Sequence, residues 1–114
     1  MPHILLGDFD SILAEDLEYF SNSGVQIYTH DSTKHYLSGG KVPVKKGDVS
    51  IGDNTVIGSM SMVSFGVKIG KHCVIGANSM VSKDIPDYSI AYGTPAKVVG
   101  KVVVTEDDVE FVYY

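Results

Sequence analysis

The chain has one cysteine, no long apolar run and fewer basic than acidic side chains, and each scarcity closes off a class of protein. A single thiol, Cys73, excludes an intrachain disulfide. It falls in a series of small inward positions, so packing accounts for it better than redox chemistry does. No stretch approaches the ~20 apolar residues that a membrane-spanning helix needs. The opening MPHILLGD is too short and too lightly charged for a secretory leader, so a cytoplasmic location is expected. Fourteen acids against nine bases give a net charge of −5 and a pI near 5.1, which argues against a nucleic-acid partner. At 114 residues the chain is one domain, and a small one for burying its own core.

What is present is a beat. From Val49 to Ile85 an aliphatic residue followed by Gly or Ser returns every six positions: Ile51-Gly52, Ile57-Gly58, Val63-Ser64, Ile69-Gly70, Ile75-Gly76 and Val81-Ser82. Two residues before each stands Val49, Thr55, Ser61, Val67, Cys73 or Ser79, all small or β-branched. A helix requires apolar spacings of three and four, and an amphipathic strand alternates over longer runs. Six fits neither. Short strands that turn a corner at each repeat do fit, and they coil into a solenoid whose layers bury one another. The aliphatic residue points inward, and the Gly or Ser occupies a corner where a side chain would clash or φ would be unfavourable. Three hexads per coil make a triangular prism.

Outside the repeat the chain is less regular. Residues 1–24 read either as a degenerate coil, with Leu6-Gly7-Asp8 and Leu13-Ala14 echoing the phrase, or as a short helix placing Leu13, Leu17 and Phe20 on one face. Residues 25–30, VQIYTH, rejoin the beat, Ile27 lying four hexads before Ile51. Residues 31–43 form a polar loop rich in turn formers. After Ser89 the chain leaves the coil through Gly93-Thr94-Pro95, continues as a strand from Ala96 to Val104, and ends in an acidic tail with aromatics.

The run from IGDNTVIGSM to IGANSMVSKDIPDYSIAYGTPAKVVGK resembles the hexapeptide-repeat acyltransferases, and within them the sugar and polysaccharide O-acetyltransferases. The most specific part is IGANSMVSKDIP followed by GTPAKVV. The likeness spans about residues 25–104. It implies an all-β, left-handed parallel β-helix over residues 1–114, with 31–43 as an active-site loop and 90–114 as a short C-terminal extension. It also implies a homotrimer with active sites between subunits, acetyl-CoA as acyl donor, and a saccharide hydroxyl as acceptor.

The resemblance assigns His30, in Ile27-Tyr28-Thr29-His30-Asp31, as the base that deprotonates the acceptor. Imidazole suits that task because its pKa lies near the working pH. Asp31, Asp8 and Asp10 are candidates to orient it. The resemblance also puts Ser59, Ala77, Ser82, Lys83, Lys97 and Lys101 along the donor groove, with small residues against the pantetheine arm and lysines toward the phosphates. Backbone N–H at a corner such as Ser59 would receive the oxyanion. His35, His72 and His3 are read as ordinary polar residues, and a zinc site built on His30, His35 and His72 is not expected, since the spacing does not match the three-histidine arrangement. The sequence departs from the resembling enzymes in a short N-terminal part, in Phe65-Gly66, and in Met60 and Met62. N-acetylation of an amino sugar, and a trimer without catalysis, are the other functions considered.

Overall fold

The computed structural model describes residues 4–6 and 24–114. Three parallel ladders form the body. The first face carries β5 (Val49–Ile51) and β8 (Lys68–Ile69), with Ile85 bridged to Ile69. The second carries β6 (Val56–Ile57), β9 (Val74–Ile75) and β11 (Ser89–Gly93). The third carries β2 (Gln26–Ile27), β7 (Met62–Val63) and β10 (Met80–Val81). Ile51 pairs with Ile69, Ile57 with Ile75 and Val63 with Val81, so one coil is three hexads, 18 residues. All six aliphatics are buried to 2% exposure or less. At ~1.5–3 kcal/mol per buried aliphatic side chain, this stacked column is the main source of stability.

The small positions two residues earlier are buried as well, and they handle polar groups. The Thr55 hydroxyl donates to the Gly70 carbonyl at 2.7 Å and accepts from Cys73 N–H at 3.1 Å. Ser61 repeats the pattern on the next face, donating to Gly76 O at 2.9 Å and accepting from Ser79 N–H at 3.3 Å. Corner carbonyls and amides that turn inward thus find partners without water.

Of the two reasons expected for corner glycines, only the clash applies to Gly52 and Gly58. A Cβ on Gly52 would stand 2.5 Å from Lys71 N, and one on Gly58 would stand 2.4 Å from Ala77 N. Positive φ falls instead three residues after the aliphatic, at Asn54, Met60, Gly66, His72, Asn78 and Tyr88. The last coil is two residues shorter, since Ile85 pairs with Ile69 and Ala91 with Ile75. There carboxylates stand in for coil carbonyls, Asp84 accepting from Lys68 N–H at 2.8 Å and Asp87 from Lys71 N–H at 3.0 Å.

The first coil keeps the phase of the hexad count but not its height. Ile27 pairs with Val63, 36 positions away, although adjacent coils elsewhere are 18 apart. The excursion after Thr29 therefore consumes one coil's length. It contains β3 (His30–Asp31), the five-residue helix α1 (Thr33–Leu37) and β4 (Lys45–Lys46), which returns antiparallel to β3. Beyond β11, β12 (Ala96–Val104) folds back, and the expected acidic tail is a turn held by Thr105 and Asp108 that leads into β13 (Val109–Tyr113). At the N-terminal end β1 (Ile4–Leu6) lies antiparallel to β5, whereas a further coil would enter parallel. The coil-or-helix alternatives for 7–23, with His3, Asp8 and Asp10, lie outside the described residues.

Candidate active site

The corner between the third and first faces is built differently from the other two. Its stacked residues are Tyr28, Ser64 and Ser82, joined by Tyr28 N–H to Val63 O at 3.0 Å and Ser64 N–H to Val81 O at 2.9 Å. The chain leaves the prism just after Tyr28, at His30. Beside this corner a cleft of about 270 Å³ is lined by Tyr28, His30, Asp31, Met62, Ser64, Phe65 and Met80. His30 is exposed on one wall, while the side chain of Thr29 before it is buried and the Thr29 carbonyl accepts from Gly47 N–H at 2.9 Å. Buried Thr29 and the returning strand thus fix the backbone on which the imidazole is carried.

Asp31, one candidate to orient His30, has another task. Its Oδ1 accepts from the Thr33 hydroxyl at 2.7 Å and from Thr33 N–H at 2.9 Å. The Thr33 hydroxyl, then its N–H, together with the charges of Lys45 and Lys34, hold the Asp31 carboxyl below the usual carboxylate range. The carboxylate organises the start of α1. His35 pins the same loop through Nδ1 to the Val42 carbonyl at 3.0 Å and packs edge-on against Tyr36. His72 is far from both, at the corner between the first and second faces, stacked on Tyr88 with ring centroids 4.9 Å apart.

The residues expected along the donor groove fall at three corners. Ser59 and Ala77 share the corner between the second and third faces, where Asn78 N–H donates to Ser59 O at 3.0 Å. Thr94 extends that column through its hydroxyl to Asn78 O at 3.3 Å, and Lys97 pairs with Tyr92 at the same end. Small side chains therefore run in a line toward a lysine, one coil (~4.8 Å) per step. That line fits an extended, phosphate-ended thioester held by backbone. Ser82 and Lys83 stand at the His30 corner instead. Lys101 pairs with Ser89, at the opposite edge of the second face from Lys97. Within the chain the third face separates the Ser59–Ala77 column from the His30 cleft.

A larger groove, about 560 Å³, opens on the first face among Lys68, Lys71, Asp84 and Asp87 and contains none of the expected residues. It is a shallow surface between charged side chains, two of whose carboxylates are already tied to backbone. The corner residues Tyr28, Ser64 and Ser82 have a trace in the sequence: they lie 36 and 18 positions apart, the same intervals as Ile27, Val63 and Val81. That trace is visible only once the excursion is recognised as one coil long.

Residues 48–83 match the model for the hexapeptide repeat of succinyl-transferase. No curated protein matches the chain. Among solved structures, a maltose O-acetyltransferase from Clostridium difficile 630 is 38% identical at a TM-score of 0.62, over 70% of this chain and 43% of its own. A hexapeptide-repeat-containing acetyltransferase from Vibrio cholerae O1 biovar eltor, complexed with acetyl coenzyme A, is 30% identical at 0.61, over 68% of this chain and 42% of its own. A galactoside acetyltransferase in complex with coenzyme A is 31% identical at 0.65, over 73% of this chain and 42% of its own. The chain thus spans less than half the length of these proteins, and the likeness implies the left-handed sense of the coil. With its 18-residue coils, its corner glycines and the match over residues 48–83, the chain carries the hexapeptide repeat and resembles these acetyltransferases.

Proposed function

We propose that the protein is a CoA-dependent acetyltransferase acting on a sugar hydroxyl, with His30 as general base. The observation that carries this reading is the exposed imidazole at the rim of a cleft, set beside the coil corner of a fold whose solved neighbours hold coenzyme A or its acetyl ester. The thioester supplies an activated acetyl group. His30 takes the proton of the acceptor hydroxyl as its oxygen attacks the carbonyl carbon. The carbon–sulfur bond then breaks, and His30 returns the proton to the departing thiolate. Corner N–H groups near Ser59 receive the charge that builds on the carbonyl oxygen.

The separation of the Ser59–Ala77 column from His30 by the third face supports an assembly in which one subunit's cleft meets a neighbour's column. A closed cyclic trimer achieves this three times over. In it the outward Met62 and Met80 of the third face would turn toward the axis, which explains methionines on that surface. Ser82 and Lys83 then line the groove from the His30 side, Ser59, Ala77 and Lys97 from the other, and Lys101 lies apart.

The test is acetyl transfer from acetyl-CoA to a panel of saccharides, with the oligomeric state of the same sample measured by light scattering. His30→Ala is expected to slow transfer by about 10²–10⁴-fold while leaving acetyl-CoA affinity within about twofold. Equal loss of binding and turnover would remove His30 from the base role. A folded trimer that binds no acetyl-CoA would point to a protein without catalysis.

A further inference from the structure

The hairpin of β12 and β13 has one open edge. β13 is outermost in the strand order β13-β12-β11-β9-β6, and among the described residues no strand pairs with its outer side. All five of its residues are exposed, Val109, Phe111, Val112 and Tyr113 to between 40% and 58%. Edge strands are ordinarily guarded by lysine, proline or a bulge. β13 has neither lysine nor proline, and its ladder with β12 runs without a register shift. Open backbone beside exposed Val, Phe and Tyr side chains is a surface that another strand completes.

The backbone decides which residues that strand meets. Tyr114 N–H donates to Val99 O at 2.9 Å, and Thr105 N–H donates to Asp108 O at 2.8 Å. Hydrogen-bonded pairs alternate along an antiparallel ladder, so between these two points Glu110 and Val112 turn their backbone groups to β12. Val109, Phe111 and Tyr113 therefore turn their N–H and C=O groups to the open edge. A second β13 running antiparallel matches them when Phe111 stands opposite Phe111 of the other copy. Val109 then faces Tyr113, every outward N–H and C=O of the strand finds a partner, and the paired side chains are aromatic or β-branched, a favourable cross-strand combination.

Charge selects the same register. Sliding one copy by two residues can set Glu110 opposite Glu110, a direct like-charge pair. With Phe111 at the centre, Glu110 instead faces Val112 of the second copy. Lys101, the direct partner of Val112 on β12, lies on that same face and is exposed. It stands two strand spacings, ~9.6 Å, from the second copy's Glu110, a gap its long stem can cross. Lys101, set apart from the donor groove, thus gains a counter-charge. The acidic turns are kept apart: Asp108 of one copy lies six residues along the ribbon from Asp108 of the other, ~20 Å, beyond the Debye length of ~8 Å. We propose that β13 pairs antiparallel with β13 of a second copy about a two-fold axis at Phe111, giving a particle of twice the mass. One patch meets itself, so the contact is isologous and closes. It does not depend on the chemistry at His30.

The test is the mass of the full chain by analytical sedimentation over a range of concentrations. Because residue 111 faces itself, Phe111→Glu and Phe111→Lys should each repel their own copies and halve the particle mass. An equimolar mixture of the two should restore the wild-type mass, and added salt should weaken the mixed particle. A wild-type mass equal to that of each variant alone overturns the proposal, and so does a mixture that stays at the lower mass. Amide exchange on the wild type gives a reading that survives even if the variants fail to fold. Concentrating the protein should slow exchange at Val109, Phe111 and Tyr113 by about tenfold or more, while Glu110 and Val112 are protected throughout. Protection of all five at every concentration with unchanged mass would mean that another part of the same chain covers the edge. Free exchange of the three at every concentration would mean that a second copy does not. Either result overturns the proposal.

Discussion

Replacing Gly58 by alanine tests why this chain coils as it does. Gly58 ends the second face, and a Cβ there would lie 2.4 Å from Ala77 N, 2.7 Å from Ala77 Cα and 2.8 Å from Gly76 C. All three are backbone atoms of the next coil, so no side chain can swing aside, and ordinary contact begins near 3.4 Å. The two coils must part by roughly 1 Å at that corner, against hydrogen bonds on either side: Gly58 N–H to Ile75 O at 2.7 Å and Asn78 N–H to Ser59 O at 3.0 Å. Overpacking of a rigid site costs about 1–3 kcal/mol, and two weakened bonds add about 1 kcal/mol each, for a loss of about 3–5 kcal/mol. Gly66 supplies the control. It has φ +75° and nothing within 4 Å of where a Cβ would stand, so Gly66→Ala carries only the left-handed backbone penalty of ~1–2 kcal/mol. Urea unfolding followed by far-ultraviolet circular dichroism, at one fixed subunit concentration, measures both. A loss below about 1 kcal/mol for Gly58→Ala, or one smaller than that of Gly66→Ala, would refute the steric account.

Thr55→Val keeps shape but strands Gly70 O and Cys73 N–H in the interior, and should lower unfolding free energy by about 2–3 kcal/mol in the same urea experiment. Met60 has φ +61° where the equivalent corners use Asn54 and Asn78, so Met60→Asn should raise the melting midpoint, by about 0.5–1 kcal/mol of stability. Burial pushes the Cys73 thiol above its ordinary value of 9.0, so the folded chain holds that proton more tightly than the unfolded chain does. Its contribution to stability is complete below that ordinary value and is lost as pH rises through the folded one; native protein at about pH 8 should resist iodoacetamide until denaturant is added.

The core is legible because burial and sequence share one period. Ile51 through Val81 and their partners from Val49 to Ser79 are inside, and the six-residue beat marks all of them. The face of Ile27 is legible, but its height is not, because counting hexads across residues 31–43 assumes that the loop stacks as a coil, whereas it leaves the prism. The positive-φ corners are hidden: Met60 and Tyr88 occupy two of them despite side chains that disfavour that conformation, so coil closure overrides local preference. α1 lacks any apolar face, and its five residues owe their turn to Asp31 and Thr33 rather than to a pattern. At the site, the local motif singles out His30, but the wall residues Met62, Phe65 and Met80 come from two other coils.

The excursion between Thr29 and Gly47 has a consequence for how such a protein can change. Because it is one coil long and is closed at its base by Gly47 N–H to Thr29 O, it enters and leaves the stack at the same height. The layers beyond it keep their phase whatever the segment contains. It is therefore an exchangeable cassette: its cations, its helix and its tip can be replaced together while the threads of Ile and Val beneath stay as they are.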